Sequence, residues 1–150
     1  MLNIEKLTPL LAQLKQQNPE IYASPGRTTS ADIEKVENAL EVTFCEDYKL
    51  FVQTYGYVYS PNFGLCGIRS GEPTALAGGL VLYETQEFRN LTKCEKKYTV
   101  LYNDDGFYFL LVDNETGKVF DYDLNIDAFS LRYESLEKCL FANIQGQLNI

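Results

Sequence analysis

The chain has 150 residues, with 13 basic and 21 acidic side chains, no histidine and a formal charge of −8. That length suits one domain over 1–150, able to bury a core without disulfides or a metal. Apolar residues at 45% and charged residues at 23% argue against disorder and coiled coil. The lack of histidine excludes every triad or metal site that needs an imidazole, and the acidic balance disfavours nucleic acid or an anionic membrane as partner.

Ile4, Leu7, Leu11 and Leu14 follow helical spacing, interrupted by Pro9. Either the helix kinks there, or Thr8 caps a helix that has Pro9 in its first position. Asn18-Pro19 ends it. Residues 22–30 read as a loop closing at an N-cap on Thr29 or Ser30. A helix over about 31–41 carries Ile33, Val36 and Leu40, and one over about 46–55 carries Tyr48, Phe51, Val52 and Tyr55, with Gly56 placed to stop it. Residues 57–59 and 63–68 read as short extended segments, and 70–73 as a turn. Residues 80–83 fit strand or helix, whereas 84–91 look helical.

The clearest β pattern runs from Tyr98 to Leu124. Residues 98–102 lead into the hairpin turn Asn103-Asp104-Asp105-Gly106. Residues 107–112 are apolar throughout, so that strand is expected to be buried on both faces. A second turn, 113–117, precedes 118–124, where Phe120, Tyr122 and Leu124 face one way and Val119, Asp121 and Asp123 the other. A closing helix over about 135–145 has Ser135 as N-cap, Leu136, Leu140 and Ile144 as its stripe, and Gly146 at the expected C-cap. The expected class is α+β: a mostly antiparallel sheet with a meander in the C-terminal half, flanked by N-terminal helices and a closing C-terminal helix.

Met1–Leu7 has no basic stretch followed by an unbroken apolar one, and no segment approaches the ~20 apolar residues of a membrane span. A cytoplasmic location is expected, with Cys45, Cys66, Cys94 and Cys139 as reduced thiols. No cofactor or metal is expected: the cysteines lack zinc-knuckle spacing, and the 113–117 turn fails as a calcium loop because position 5 is Gly117 and position 12 is Leu124.

The charge is unevenly spread. Residues 103–137 hold nine acids against Lys118 and Arg132, which leaves −7 of the −8. Turn geometry alone accounts for Asp104, Asp105, Asp113 and Glu115. Asp121 and Asp123 sit on a strand, where Asp is disfavoured. The functional alternative is an acidic surface for a basic protein: Asp121 and Asp123 first, then Asp104, Asp105, Glu115 and Asp127, with Tyr57 and Tyr59 as amphipathic contacts.

The order Ile33, Glu37, Leu40, Phe44, Asp47-Tyr48, Phe51-Val52 and Tyr55-Gly56 resembles the signature of the SUKH superfamily. There a helix with I-x-x-x-E-x-x-L leads through Leu-Pro into D/E-Y-x-x-F-L-x-x-x-G. The downstream segments Glu84 to Arg89, Tyr98 to Asp113 and Gly117-Lys118-Val119-Phe120 follow in order, so the resemblance covers about 30–145. Two positions depart: the family's Gly after the first helix is Glu41 here, and its Leu-Pro is Phe44-Cys45. The resemblance implies an α+β interaction protein without catalytic residues. Bacterial members resemble immunity proteins that bind and block a toxin domain, often a nuclease; fungal relatives are regulators of cell-wall synthesis. The leading expectation is a toxin-neutralising immunity protein with a basic partner. A regulatory scaffold is the alternative, and a hydrolase using two carboxylates comes behind both.

Overall fold

The computed structural model describes residues 1–20, 22–23, 28–60 and 63–148, and the side chains of all of these except 22, 23, 60 and 63. Part of the expected 22–30 loop, residues 24–27, lies outside the described residues. The described elements in chain order are α1 (Ile4–Gln17), β1 (Tyr22–Ala23), α2 (Ser30–Leu40), α3 (Glu46–Tyr55), β2 (Val58–Ser60), β3 (Phe63–Leu65), α4 (Val81–Leu91), β4 (Tyr98–Asp104), β5 (Tyr108–Asp113), β6 (Val119–Asp123), β7 (Ala128–Tyr133) and α5 (Leu136–Leu148). They make two antiparallel sheets, β1-β2-β3 and the meander β4-β5-β6-β7. The class is α+β, as the sequence pattern indicates. No described helix is long and apolar enough to cross a membrane.

α1 begins three residues after the N-terminus because the Asn3 side chain accepts from Lys6 N–H at 3.1 Å. The helix runs on through Pro9, so Thr8 is not its cap. Pro9 is exposed, and so is Glu5, whose carbonyl loses its helical donor there. Thr29 and Asp32 form a capping box at the head of α2. Helix α2 ends at Glu41, with φ 54° and ψ 47°. This left-handed residue occupies the position where the family carries glycine, which adopts that conformation without a Cβ clash. Cys45, in place of the family's proline, has φ −65°, an angle that proline shares. Its N–H, which proline lacks, donates to Asn114 Oδ1 at 3.0 Å.

One core joins these elements. Leu7, Val36, Leu40, Phe51, Val52, Leu111, Val119, Leu136 and Leu140 are fully buried within it. Tyr48 is also fully enclosed, and its hydroxyl donates to the Cys66 carbonyl at 2.6 Å. The two sheets meet where Cys66 N–H bonds the Leu101 carbonyl at 2.7 Å, opposite a bulge in β4 between Val100 and Tyr102. Gly67 lies against Gly56 so closely that a Cβ there would stand 1.8 Å from the Gly56 oxygen.

The alternatives open for 80–83 resolve to helix: Leu80 makes a single bridge with Gly67 and α4 starts at Val81. Three expectations are corrected. Residues 22–23, expected within a loop, form β1 and pair with β2. The 107–112 strand is not buried on both faces, since Phe107 is 51% and Tyr108 53% exposed. Gly146 does not cap the last helix, which continues to Leu148. Leu148 extends the stripe of Leu136, Leu140 and Ile144, and its burial outweighs the roughly 1 kcal/mol that an internal glycine costs.

Candidate protein-interaction surface

The meander presents two faces. On one, Phe109 of β5 and Tyr122 of β6 pack on Phe88 of α4, with ring centroids 4.8 and 5.4 Å away. Tyr122 also meets Phe129 of β7 at 4.6 Å. Pairing register arranges the other face in three rows: Thr99, Val112, Val119 and Tyr133; then Tyr102, Leu110, Asp121 and Ser130; then Asp104, Tyr108, Asp123 and Ala128. The first row is fully buried except for half-buried Tyr133, whereas Asp104 and Tyr108 of the last row are exposed. Between them the sheet forms an open concavity of about 580 Å³, bordered by Arg132 of β7 and Asn143 of α5. Asp121 and Asp123 therefore share this face, with Asp104 beside them.

The structure divides the acids of residues 103–137 by partner. Asp113 is 3% exposed and lies 3.5 Å from Lys97. Glu115, in the turn at the opposite end of the meander, is 3.8 Å from the same ammonium. Glu134 lies 4.0 Å from Lys118, and Asp121 is 3.6 Å from Arg132. Glu137 accepts from Asn3 N–H at 2.7 Å. Asp127 is in the left-handed region, φ 48°, and accepts from the Tyr122 hydroxyl beside the α4-packed face. Burial, with Asp127 adding to it, pushes the Tyr122 hydroxyl up to about 12. Asp104, Asp105 and Asp123 remain without a cationic partner among the described residues, and all three are at the same end of the open face.

Two tyrosines register this local negative charge. Burial raises the Tyr102 pKa above its usual value, with Asp104 and Asp105 adding to the effect. The Asp123 carboxylate raises that of Tyr108, with Asp104 contributing less. Backbone geometry fixes the acids: Asp105 has φ 53° in the hairpin turn, where Asn103 Oδ1 accepts from Gly106 N–H at 2.8 Å, and Asp123 accepts from Asn125 N–H at 2.9 Å. Tyr57 and Tyr59 stand in a neighbouring groove that shares Tyr102 with the acidic concavity. Tyr59 is 59% exposed.

Six of the eight candidate residues thus lie on one continuous surface: Tyr57, Tyr59, Asp104, Asp105, Asp121 and Asp123. Glu115 is at the far end of the sheet beside Lys97, and Asp127 is on the side of Tyr122, so neither belongs to it. Sequence reasoning missed Tyr102, Tyr108, Ser130 and Arg132. The alternation of 128–133 marks a fourth strand, which pairs Ser130 with Asp121 and brings Arg132 within 3.6 Å of that carboxylate.

The four cysteines are free thiols. Burial pushes Cys139 up to about 12, Cys94 up to about 11, and raises Cys66 and Cys45 as well. None is poised as a nucleophile at neutral pH. The family model described as SUKH_5, SMI1-KNR4 cell-wall, matches residues 7–142. No curated protein matches the chain.

Proposed function

The chain belongs to the SUKH family of SMI1-KNR4 proteins, and from that premise we propose that it acts by binding another protein and is an immunity protein for a basic toxin domain. The observation that carries this reading is the group Asp104, Asp105 and Asp123, three uncompensated carboxylates at one end of an open sheet face with Tyr59, Tyr102 and Tyr108 among them. Such a surface steers a positively charged partner and rejects negatively charged ones. Exposed tyrosine rings supply contact area at low entropic cost. A nuclease toxin meets the requirement, because its cleft must hold phosphates. The raised thiol pKa values argue against a thiolate nucleophile. A two-acid hydrolase would need a second carboxyl matched to Glu84, which burial holds above its usual range. A regulatory scaffold is the second reading, favoured by the cell-wall wording of the family description.

The test is co-expression with the toxin domain of any secreted toxin found encoded beside this chain. Neutralisation requires a stable complex in size-exclusion chromatography and recovery of growth. A toxin domain that neither binds nor loses toxicity would overturn the immunity reading.

A further inference from the structure

The groove beside the acidic face has a volume of about 550 Å³. Tyr57, Tyr59, Gly64 and Leu80 line it together with Tyr102, and Glu84 of α4 lies within it. Glu84 is half-buried. Its only hydrogen-bond donor among the described side chains is Asn103 Nδ2, at a long 3.4 Å. Among the described residues the one cation lining the groove, Arg69, is exposed and lies 3.9 Å from Glu72. A carboxylate withdrawn from water without a cation carries a desolvation cost that its neighbours do not offset. The fold retains that cost at the edge of a surface already rich in uncompensated negative charge.

The tyrosines and the half-buried carboxylate lining the groove define what fits. A guanidinium is planar, stacks on tyrosine faces and donates in pairs to a carboxylate. An apolar side chain would leave Glu84 dehydrated and unpaired, and an acidic one would be repelled.

We propose that this groove receives an arginine side chain of the protein partner, with Glu84 as its counter-ion and Tyr59 and Tyr102 as its stacking walls. The inference rests on the reading of the acidic face as a partner-binding surface, and it names the anchor that would fix a partner once the field of Asp104, Asp105 and Asp123 has drawn it in. Small contact clusters of this kind commonly carry most of an interface's energy, and arginine and tyrosine are enriched in them.

A small probe tests the groove without any partner. Nα-acetyl-arginine methylamide is titrated into the isotope-labelled full chain and amide shifts are followed by NMR, with the neutral citrulline analogue as control. The expected result is saturable shifts at Tyr59, Glu84, Tyr102 and Asn103 with the arginine probe and none with citrulline. Glu84→Gln should weaken binding about tenfold, the worth of one charge-assisted hydrogen bond. Tyr59→Ala should weaken it severalfold, while Glu5→Gln, at an exposed position of α1, should leave it unchanged. Equal shifts with citrulline, shifts confined to Asp121 and Asp123, or undiminished binding to Glu84→Gln would each overturn the proposal. None of these results bears on whether the acidic face binds a toxin, and a toxin that fails to bind leaves the probe titration standing.

Discussion

Gly67 holds together the wall of this groove, and Gly67→Ala tests that arrangement. Its added Cβ would meet the Gly56 oxygen at 1.8 Å, Tyr57 Cβ at 2.6 Å and the Gly56 carbonyl carbon at 2.7 Å. Two of these three atoms are backbone, so no rotamer change relieves the clash and the chain at 56–57 must move. That backbone is tied in place: Ile68 N–H donates to Gly56 O at 3.2 Å, Gly67 N–H to Gly79 O at 3.3 Å, and Val81 N–H to Gly67 O at 2.9 Å. Overpacking costs about 1–3 kcal/mol, and two lost hydrogen bonds add about 2 kcal/mol, for a total of about 3–5 kcal/mol. With a urea dependence of about 2 kcal/mol/M, the unfolding midpoint falls by roughly 1.5–2.5 M. Gly78→Ala is the control, since nothing lies within 4 Å of a Cβ there, and its midpoint should stay within a few tenths of a molar of the parent. Equal midpoints for the two variants would refute the close approach of Gly67 to Gly56.

The other predictions concern the sheet, a helix end and the groove. Phe109→Ala and Leu111→Ala, at buried positions of β5, should each cost about 2–5 kcal/mol in urea unfolding; an unchanged midpoint for both would remove the strand from the core. Glu41→Gly should raise the thermal midpoint because glycine relieves the left-handed φ of 54°. The gain should grow at high salt, where the exposed Lys96–Glu41 pair is already screened; a lower midpoint at both salt concentrations would contradict this. Burial raises the Glu84 pKa above its unfolded value, and Glu87 adds to the rise. The folded chain therefore holds that proton more tightly, so the charged form costs stability at neutral pH and the cost disappears as pH falls through the carboxylate range. Glu84→Gln should be more stable than the parent at pH 7, with the difference shrinking in acid; a variant less stable at pH 7 would show that Glu84 has a stabilising partner.

The helices were legible because their apolar residues repeat at helical spacing and their ends carry recognisable caps: Thr29 opens α2, and α3 occupies Glu46–Tyr55 before Gly56. The alternation in β6 also placed Asp121 and Asp123 on one face. Composition alone could not show where burial changes along that face. Residues 107–112 are uniformly apolar, yet exposure falls from Tyr108 to Val112 according to what packs over each row. The fourth strand was overlooked although Phe129, Leu131 and Tyr133 alternate with Ser130 and Arg132; exposed Phe129 and Leu131 show that this alternation does not mark a buried face. That omission hid the Asp121–Arg132 pair and so gave Asp121 more weight than its compensated charge supports. Glu84 was not read as a candidate site residue because a glutamate in the first turn of a helix is ordinary in sequence; only the packing of β2, β3 and β4 around it makes its burial unusual.

The central claim, that an uncompensated acidic surface recruits a basic protein, is tested most directly by association kinetics. Asp104→Asn, Asp105→Asn and Asp123→Asn together change the formal charge from −8 to −5. Asn tolerates the left-handed geometry at 105 and keeps an acceptor for Asn125 N–H at 123. Stopped-flow mixing with the toxin domain should show the parent associating faster, with a rate that falls steeply as salt shortens the screening length toward about 8 Å at physiological ionic strength. The triple variant should associate more slowly, with a shallower salt slope. Identical rates and identical slopes for the two proteins would contradict the account.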